Sequence, residues 1–520
     1  MMANMRSSRL SASSQISLAA RYRWRSRGCG LLLLAGTACW AQSPANDLPP
    51  SPLPASVMSA LQAQGLPPEA LSVWVAPAEG GLPRLQHLSE TLRPAASVMK
   101  LFTTGAALRT LGPAWTWQTH VALTGTLQAN GTLSGSVHVR GSGDPSLRME
   151  QVYLMLSRWW GAGLRHIEGD IVLDRQAFTL PAHDPWAFDG KGLRPYNAGP
   201  DALLLNHQAV TLHLMPDAAR PGQVRVAIEP PLTGVTLDAQ LTPQPDSACG
   251  DWREALDLQI QPTSGWPRHG LSPWRVRVRG PYPLSCGTQT WPVLWPTDHG
   301  ADYAARLLTQ TWTHLGGELE GRVRSGEWPT DAQPWQTWTS PTLAEVVRDI
   351  NKFSNNVMAR QLFLTLGGAG TDVTQPLSVT RARESLAHSV REATVSPDAA
   401  LACGAMQLQL DNGAGLSRTE GSTALCLGRW LQVLWASPAM PDLIASLPLS
   451  GVDGTMRRWQ GAVGHARIKT GSLAGVTAVA GYVDGISGKR HVVVGLLQHP
   501  RASAARPVLD ALLNWTRQDQ

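Results

Sequence analysis

The chain has 520 residues, of which 43% are hydrophobic and 16% charged, and a formal net charge of +6. That length exceeds one hydrophobic core, so two or three domains are expected. Residues 1–41 hold six arginines (Arg6, Arg9, Arg21, Arg23, Arg25, Arg27) and no acid; the remainder is therefore neutral, and no basic surface argues for nucleic acid as a partner.

Those arginines belong to a leader of secretory form. Arg21 to Arg27 give a positive region, Cys29 to Ala38 a short apolar core around Leu31-Leu32-Leu33-Leu34, and Ala41 a small residue for cleavage. The apolar run is too short to span a bilayer. A lipoprotein with Cys39 as the modified residue is an alternative, although Gly36-Thr37-Ala38 lacks a bulky residue three positions before it. No other segment has 18 uninterrupted apolar residues, so an exported, periplasmic protein without an integral membrane segment is expected. The four remaining cysteines, Cys249, Cys286, Cys403 and Cys426, allow three pairings. The local pairs Cys249–Cys286 and Cys403–Cys426 are favoured in an oxidising compartment. No Cys-x-x-Cys or His-Glu-x-x-His occurs, so no metal site or cofactor is expected.

Residues 42–54, rich in proline and serine, read as a linker. A helix over Ala55 to Gln64 follows, then a strand at Leu71 to Val75 and a Gly80-Gly81 turn into Arg84 to Leu88. Next, Val98, Leu101, Phe102, Ala106 and Leu108 recur near the helical period, which puts Ser97 in the first turn of a buried helix. Short alternating strands come after Gly112: Thr116 to Leu123, Gly135 to Arg140 and Gly169 to Leu173. Between them Gly141-Ser142-Gly143-Asp144-Pro145 reads as a strand exit, with Asp144 capping a helix from Met149 to Trp160. Residues 180–340, rich in Pro, Gly and Trp, read as inserted β-rich domains. Helical periodicity returns at Leu343 to Ile350, breaks at Ser354-Asn355-Asn356 and resumes from Val357 to Leu366. The chain closes with strands at Val476 to Val483 and His491 to Leu497 and a helix from Ala504 to Thr516.

Within this frame Ser97-x-x-Lys100 places a hydroxyl and an amine on one helical face. A desolvated lysine can take the proton that makes serine a nucleophile, and a helix N-terminus favours the anion that grows during acyl transfer. The chain has only five lysines, Lys100, Lys191, Lys352, Lys469 and Lys489, against 39 arginines. Arginine cannot act as a general base, so a lysine retained here is worth suspecting. Each motif alone has a plain reading: Ser97, Ser354 and Asn356 as helix caps, Lys469-Thr470-Gly471 as a strand leaving for a turn.

Together and in this order, Ser97-x-x-Lys100, Ser354-x-Asn356 and Lys469-Thr470-Gly471 form the pattern of penicillin-recognising serine enzymes. Some 257 positions separate the first two motifs, far more than in a β-lactamase. The chain resembles the DacB family of D-alanyl-D-alanine carboxypeptidase/endopeptidases, class C low-molecular-mass penicillin-binding proteins with two domains inserted after the first motif. The likeness includes Gly141 to Pro145, Gly169 to Asp174, Pro195-Tyr196-Asn197-Ala198, Asn351-Lys352, Gly415-Leu416-Ser417-Arg418 and Gly451-Val452-Asp453-Gly454-Thr455.

The resemblance implies an α/β (α+β) fold, a transpeptidase/β-lactamase-like domain of antiparallel sheet flanked by helices. It implies a peptidase domain over residues 55–118 and 325–520, one insert over 119–205 and 290–324, and a second over 206–289. On this reading Ser97 attacks a D-alanyl-D-alanine carbonyl, Lys100 is the base beside Lys469, and Ser354 and Asn356 serve the leaving amine and the substrate amide. Ser97 and Ser472 would supply oxyanion N–H groups, and Lys469, Thr470 and Ser472 would hold the terminal carboxylate. Gly471 would let the substrate lie along the strand edge. Trp186-Ala187-Phe188-Asp189 and Arg418 resemble the family's pocket for the free end of the stem-peptide diamino acid, Asp189 binding its ammonium and Arg418 its carboxylate. Peptidoglycan stem peptides and crosslinks, with β-lactams as inhibitors, are the implied partners. A β-lactamase, or an inactive cell-wall-binding scaffold, are the alternatives.

Overall fold

The structure, a computed structural model, describes residues 52–217, 219–220, 222–296, 300–368, 375–395 and 403–519. The expected leader (1–41), Cys39 and most of the linker lie outside the described residues. No helix among the described residues is long and apolar enough to cross a membrane.

The body is built on a five-stranded antiparallel sheet in the order Ala466–Leu473, Val476–Asp484, Arg490–Gln498, Leu71–Pro77, Leu85–His87. Its three middle strands are buried nearly throughout, which explains their near-continuous runs of valine, leucine and alanine. On one face the N-terminal helix Ala55–Gln64 and the C-terminal helix Arg506–Arg517 pack together, burying Val57 and Leu61 with Val508, Leu509 and Leu512. On the other lie the helices Lys100–Thr110, Leu343–Phe353, Asn356–Leu366, Val379–Thr394 and Ala424–Trp435, whose core includes Phe102, Leu362 and Trp430. The expected α/β class, a sheet flanked by helices, is what forms.

Two crossings lead to the insert. Gln118–Leu127 enters it and Gln336–Thr339 leaves it, and these strands are antiparallel neighbours, with Thr119 opposite Trp338. They belong to a seven-stranded sheet with Thr132–Arg140, His166–Ile167, Ile171–Asp174, Glu318–Leu319 and Val323–Ser325. Residues 336–339, expected with the peptidase body, are thus bound by main-chain hydrogen bonds into the insert's sheet. Two further three-stranded sheets are made by Gln289–Leu294, Ala209–Pro216 and Val224–Glu229, and by Val235–Gln244, Trp274–Pro283 and Asp257–Pro262.

The β-rich expectation for 180–340 misses one element, the 14-residue helix Ala301–His314. Its threonines and tryptophan read as strand formers. Packing overrides that preference: Trp312 is buried, and the fully buried Arg306 bonds Asp302 one turn earlier together with the carbonyls of Thr233 and Ser272. Cys249 is bonded to Cys286 and Cys403 to Cys426.

The glycine-rich exit at 141–145 also differs from expectation. Asp144 does not cap the following helix, Met149–Gly161; its Oδ1 accepts from the Ser146 N–H at 2.7 Å, closing a local turn. The helix N-terminus is capped from afar, where Asn206 Oδ1 accepts from the Met149 N–H at 3.1 Å. Loops of the insert clamp the helix Asn356–Leu366. Gln361 Nε2 donates to the carbonyls of Gly143 (3.2 Å) and Asp201 (2.8 Å), and Arg360 donates to Ala198 O (3.0 Å). Both Gln361 and Arg360 are buried, and these bonds satisfy the Gln361 amide nitrogen and one Arg360 terminal nitrogen at the seam between insert and body.

Candidate active site

Ser97 stands in a tight 3₁₀ turn, Ala96–Met99, and the α-helix proper begins at Lys100. The expected regular first turn does not form because Ala96 has φ 48°, which no right-handed helix accommodates. This left-handed alanine, costing of order 1–2 kcal/mol, is held by its surroundings. Gly415 packs against it so closely that an added Cβ would sit 1.9 Å from Ala96 O. From the opposite side Gly471, on the edge strand, leaves room for only 3.1 Å between such a Cβ and Ser97 N. Glycine at these two positions is a steric requirement of the turn.

The Lys100 side chain is fully buried beneath Ser97. Its Nζ lies 2.9 Å from Ser97 Oγ, 2.5 Å from Asn356 Oδ1 and 2.5 Å from Ala414 O. Burial drives its pKa well below the ordinary lysine range; the positive charge of Lys469 adds to this, Glu420 opposes it, and Arg360 again lowers it. The shift favours the neutral amine, which has two N–H bonds and one lone pair. Asn356 Oδ1 and Ala414 O can only accept, so they take the two N–H groups. In that neutral form the lone pair faces Ser97 Oγ, as a general base needs.

Lys469 is also fully buried, and burial lowers its pKa to about 7. Its Nζ donates to Ser354 Oγ and to Thr470 O, each at 2.9 Å. Ser354 ends the helix Leu343–Phe353 at φ 56°, a second non-glycine residue in the left-handed region beside the nucleophile. Asn355 caps the next helix, its side chain accepting from the Met358 N–H. Asn356 is thus freed from capping and turned inward as the first residue of that helix. Thr470 Oγ1 donates to Thr455 Oγ1 at 2.7 Å. The Gly451–Thr455 segment is in turn anchored by a 2.6 Å ion pair between Asp453 and Lys352. Ser472 is exposed on the same edge strand, and Thr470 is half-buried.

Burial of Lys469 makes the stability of the fold depend on pH. Its folded pKa of about 7 lies below the ordinary 10.5, so in this window the unfolded chain binds more protons and stability rises as pH goes from about 7 toward 10. Lys469→Met removes this burden. The melting-temperature advantage of the variant over wild type is expected to be largest at pH 7 and below, and to shrink steadily up to pH 10. A pH-independent difference in a thermal-shift series would contradict it.

The residues expected at the substrate pocket, Asp189 and Arg418, are brought near each other through Phe188. Asp189, half-buried, accepts from Tyr196 Oη (2.7 Å), Asn197 Nδ2 (2.9 Å) and the Lys191 N–H (3.0 Å). Partial burial pushes its carboxyl up, but the hydrogen bonds from Tyr196 and Asn197 outweigh this and hold it below the usual range. The exposed Arg418 guanidinium lies over the ring of Phe188, 4.9 Å from its centroid, which brings the two segments side by side. Asn197 and Ala198 then link Asp189 through Arg360 to the helix that carries Asn356.

Reading the sequence by side chains misses two parts of this site. One is the Ala414 carbonyl on Lys100, for which residue identity carries no signal. The other is Glu420, a fully buried carboxylate that receives the N–H groups of Asp411, Gly413 and Gly415. The glycine spacing of Gly413 and Gly415, followed by an acid, is the signal that could have found it.

Residues 53–519 match the D-Ala-D-Ala carboxypeptidase 3 (S13) family. The chain is 27% identical over 423 residues to a D-alanyl-D-alanine carboxypeptidase of Actinomadura sp. (strain R39), covering 77% of this chain and 72% of that one. It is 25% identical over 413 residues to the D-alanyl-D-alanine carboxypeptidase DacB of Haemophilus influenzae, covering 77% and 79%. The crystal structure of penicillin-binding protein 4 (dacB) from H. influenzae superposes with a TM-score of 0.67 at 21% identity, covering 89% of this chain and 97% of that one.

Proposed function

Because this chain belongs to the D-Ala-D-Ala carboxypeptidase 3 (S13) family, we infer that it is a serine D,D-peptidase of peptidoglycan, cutting after a D-alanine through an acyl-enzyme on Ser97. The observation that carries the assignment of the nucleophile is the buried, doubly anchored Lys100 amine 2.9 Å from Ser97 Oγ.

In this reading Ser97 Oγ attacks the penultimate D-alanine carbonyl while its proton passes to Lys100. The N–H groups of Ser97 and Ser472 receive the oxyanion. Collapse breaks the C–N bond, and the proton held by Lys100 reaches the leaving amine by way of Ser354, whose hydroxyl already accepts from Lys469. Lys469 faces the terminal carboxylate together with Thr470 and Ser472. Water then attacks the ester with Lys100 again as base. Gly471 keeps the strand edge open for an extended peptide, and Asp189 and Arg418 read the ammonium and carboxylate of the diamino acid. The leader argues for the periplasm as the site of action. Release of terminal D-alanine and cleavage of D-alanyl crosslinks both fit this cleft, since both cut after D-alanine at the same serine. β-Lactams, which mimic that peptide and are bound by the H. influenzae protein in another crystal structure, would acylate Ser97.

The test is digestion of purified monomeric and crosslinked muropeptides, with products identified by mass. D-alanine release, crosslink cleavage, or both are expected, together with a penicillin adduct on the peptide that contains Ser97. Intact substrates, or rapid turnover of penicillin in place of a stable adduct, would sink the reading, the latter in favour of a β-lactamase.

A further inference from the structure

The loop behind the catalytic lysine is held by a group with no role in the chemistry described above. Three alternate N–H groups, of Asp411, Gly413 and Gly415, converge on the Glu420 carboxylate at 3.2, 2.9 and 2.7 Å. Positive φ at Gly413 (68°) and Gly415 (74°) turns the N–H groups one way and the carbonyls the other. Those carbonyls face the nucleophile helix: Gly413 O accepts from Thr103 Oγ1 at 2.7 Å, and Ala414 O from Lys100 Nζ. Glu420 is fully buried, and its own N–H is tied to Ser417 Oγ.

We propose that Glu420 is a positioning residue for the reaction: by gripping the Asp411–Gly415 backbone it presses the Ala414 carbonyl onto Lys100, and so decides which face of the amine carries the lone pair. This rests on the peptidase reading and deepens it. If Ala414 O retreats, one Lys100 N–H is left without its acceptor in a dry site. The nearest remaining acceptor is Ser97 Oγ, and an amine that donates to the serine cannot deprotonate it. The charge of Glu420 acts in the same place. Facing it are Asp411 of its own loop, Lys100 of the nucleophile helix and Arg360 of the helix after Ser354, while Lys469 acts on Lys100 from the edge strand. Burial pushes the Glu420 carboxyl up while the three N–H groups pull it down, and in its ionised form it partly offsets Lys469 and Arg360 at the base.

The experiment measures second-order acylation by penicillin against pH for wild type, Glu420→Gln and Thr103→Val. Glutamine offers one acceptor oxygen to three N–H groups and removes the charge. Thr103→Val loosens the same loop and leaves the charge in place. Glu420→Gln is expected to acylate roughly 10–100-fold more slowly, consistent with misplacement of a catalytic group by a fraction of an ångström to 1 Å. Its acidic limb should also move to lower pH, because a charge favouring protonated Lys100 is gone. Thr103→Val should be slowed with its limb unmoved. A folded Glu420→Gln with wild-type rate and limb overturns the proposal, as does one that loses thermal stability alone. If Glu420→Gln does not fold, an unslowed Thr103→Val overturns it. A wild-type enzyme that neither acylates nor releases D-alanine would instead mark failure of the peptidase reading.

Discussion

Lys100→Met is expected to slow both acylation by penicillin and D-alanine release by roughly 10,000-fold, the upper end of what a positioned general base contributes. Methionine nearly preserves the volume of this fully buried side chain, so the loss would not come from collapse of the core. The Lys100→Arg variant separates the two things a lysine brings. It places a permanent cation near Ser97 Oγ, Asn356 Oδ1 and Ala414 O, and a guanidinium, which stays protonated, offers no lone pair. If Lys100 serves as the base, Lys100→Arg fails as badly as Lys100→Met. Recovery of more than about a tenth of wild-type acylation by Lys100→Arg, measured by stopped-flow with a chromogenic cephalosporin, would show that only charge is needed.

Gly415→Ala is the second large effect, although residue 415 takes no part in the chemistry. The position has φ 74°, a conformation that costs an L-residue about 1–2 kcal/mol. The added methyl would also arrive 1.9 Å from Ala96 O and 2.9 Å from Ser97 N. Neither neighbour is a flexible side-chain tip; both are backbone of the nucleophile turn. The turn must therefore move, by about an ångström, and that displacement alone is worth roughly 100-fold in rate. The expected result is a folded protein of lower melting temperature with at least that loss in kcat/KM. Gly112→Ala, at an open turn where nothing lies within 4 Å of the added Cβ, is the control for the conformational cost.

These two variants also show what could be read from the chain and what could not. Ser97, Lys100, Ser354, Asn356 and Lys469 announced themselves because their chemistry resides in side chains at fixed short spacings, and the structure gathers them into two hydrogen-bonded groups, Ser97–Lys100–Asn356 and Ser354–Lys469, coupled by the charge of Lys469 acting on Lys100. The buried strands were legible from their apolar runs, and the helix Leu343–Phe353 from its amphipathic period. Ala414 was not legible, because any residue has a carbonyl. Glu420 lay in plain view, but its importance depends on three N–H groups that only the folded loop gathers. The helix Ala301–His314 was hidden by threonine and tryptophan, residues whose local preference is overruled by the core they enter. Asp144 was assigned to the wrong partner for a related reason: a short carboxylate satisfies the nearest N–H, and the helix end was left to Asn206, 57 positions away.

The chain leaves the body at Gln118 and returns at Thr339 on directly paired strands. More than two hundred residues are therefore joined covalently to the body through a root one strand-spacing wide, and beyond it they touch the body at the loops that clamp the helix Asn356–Leu366. Outer lobes can grow or be replaced without disturbing the Asn356 helix so long as the loops at Gly143, Ala198 and Asp201 that hold it are kept. A lineage carrying this architecture can thus rework what its outer lobes grasp while the cutting centre is inherited intact.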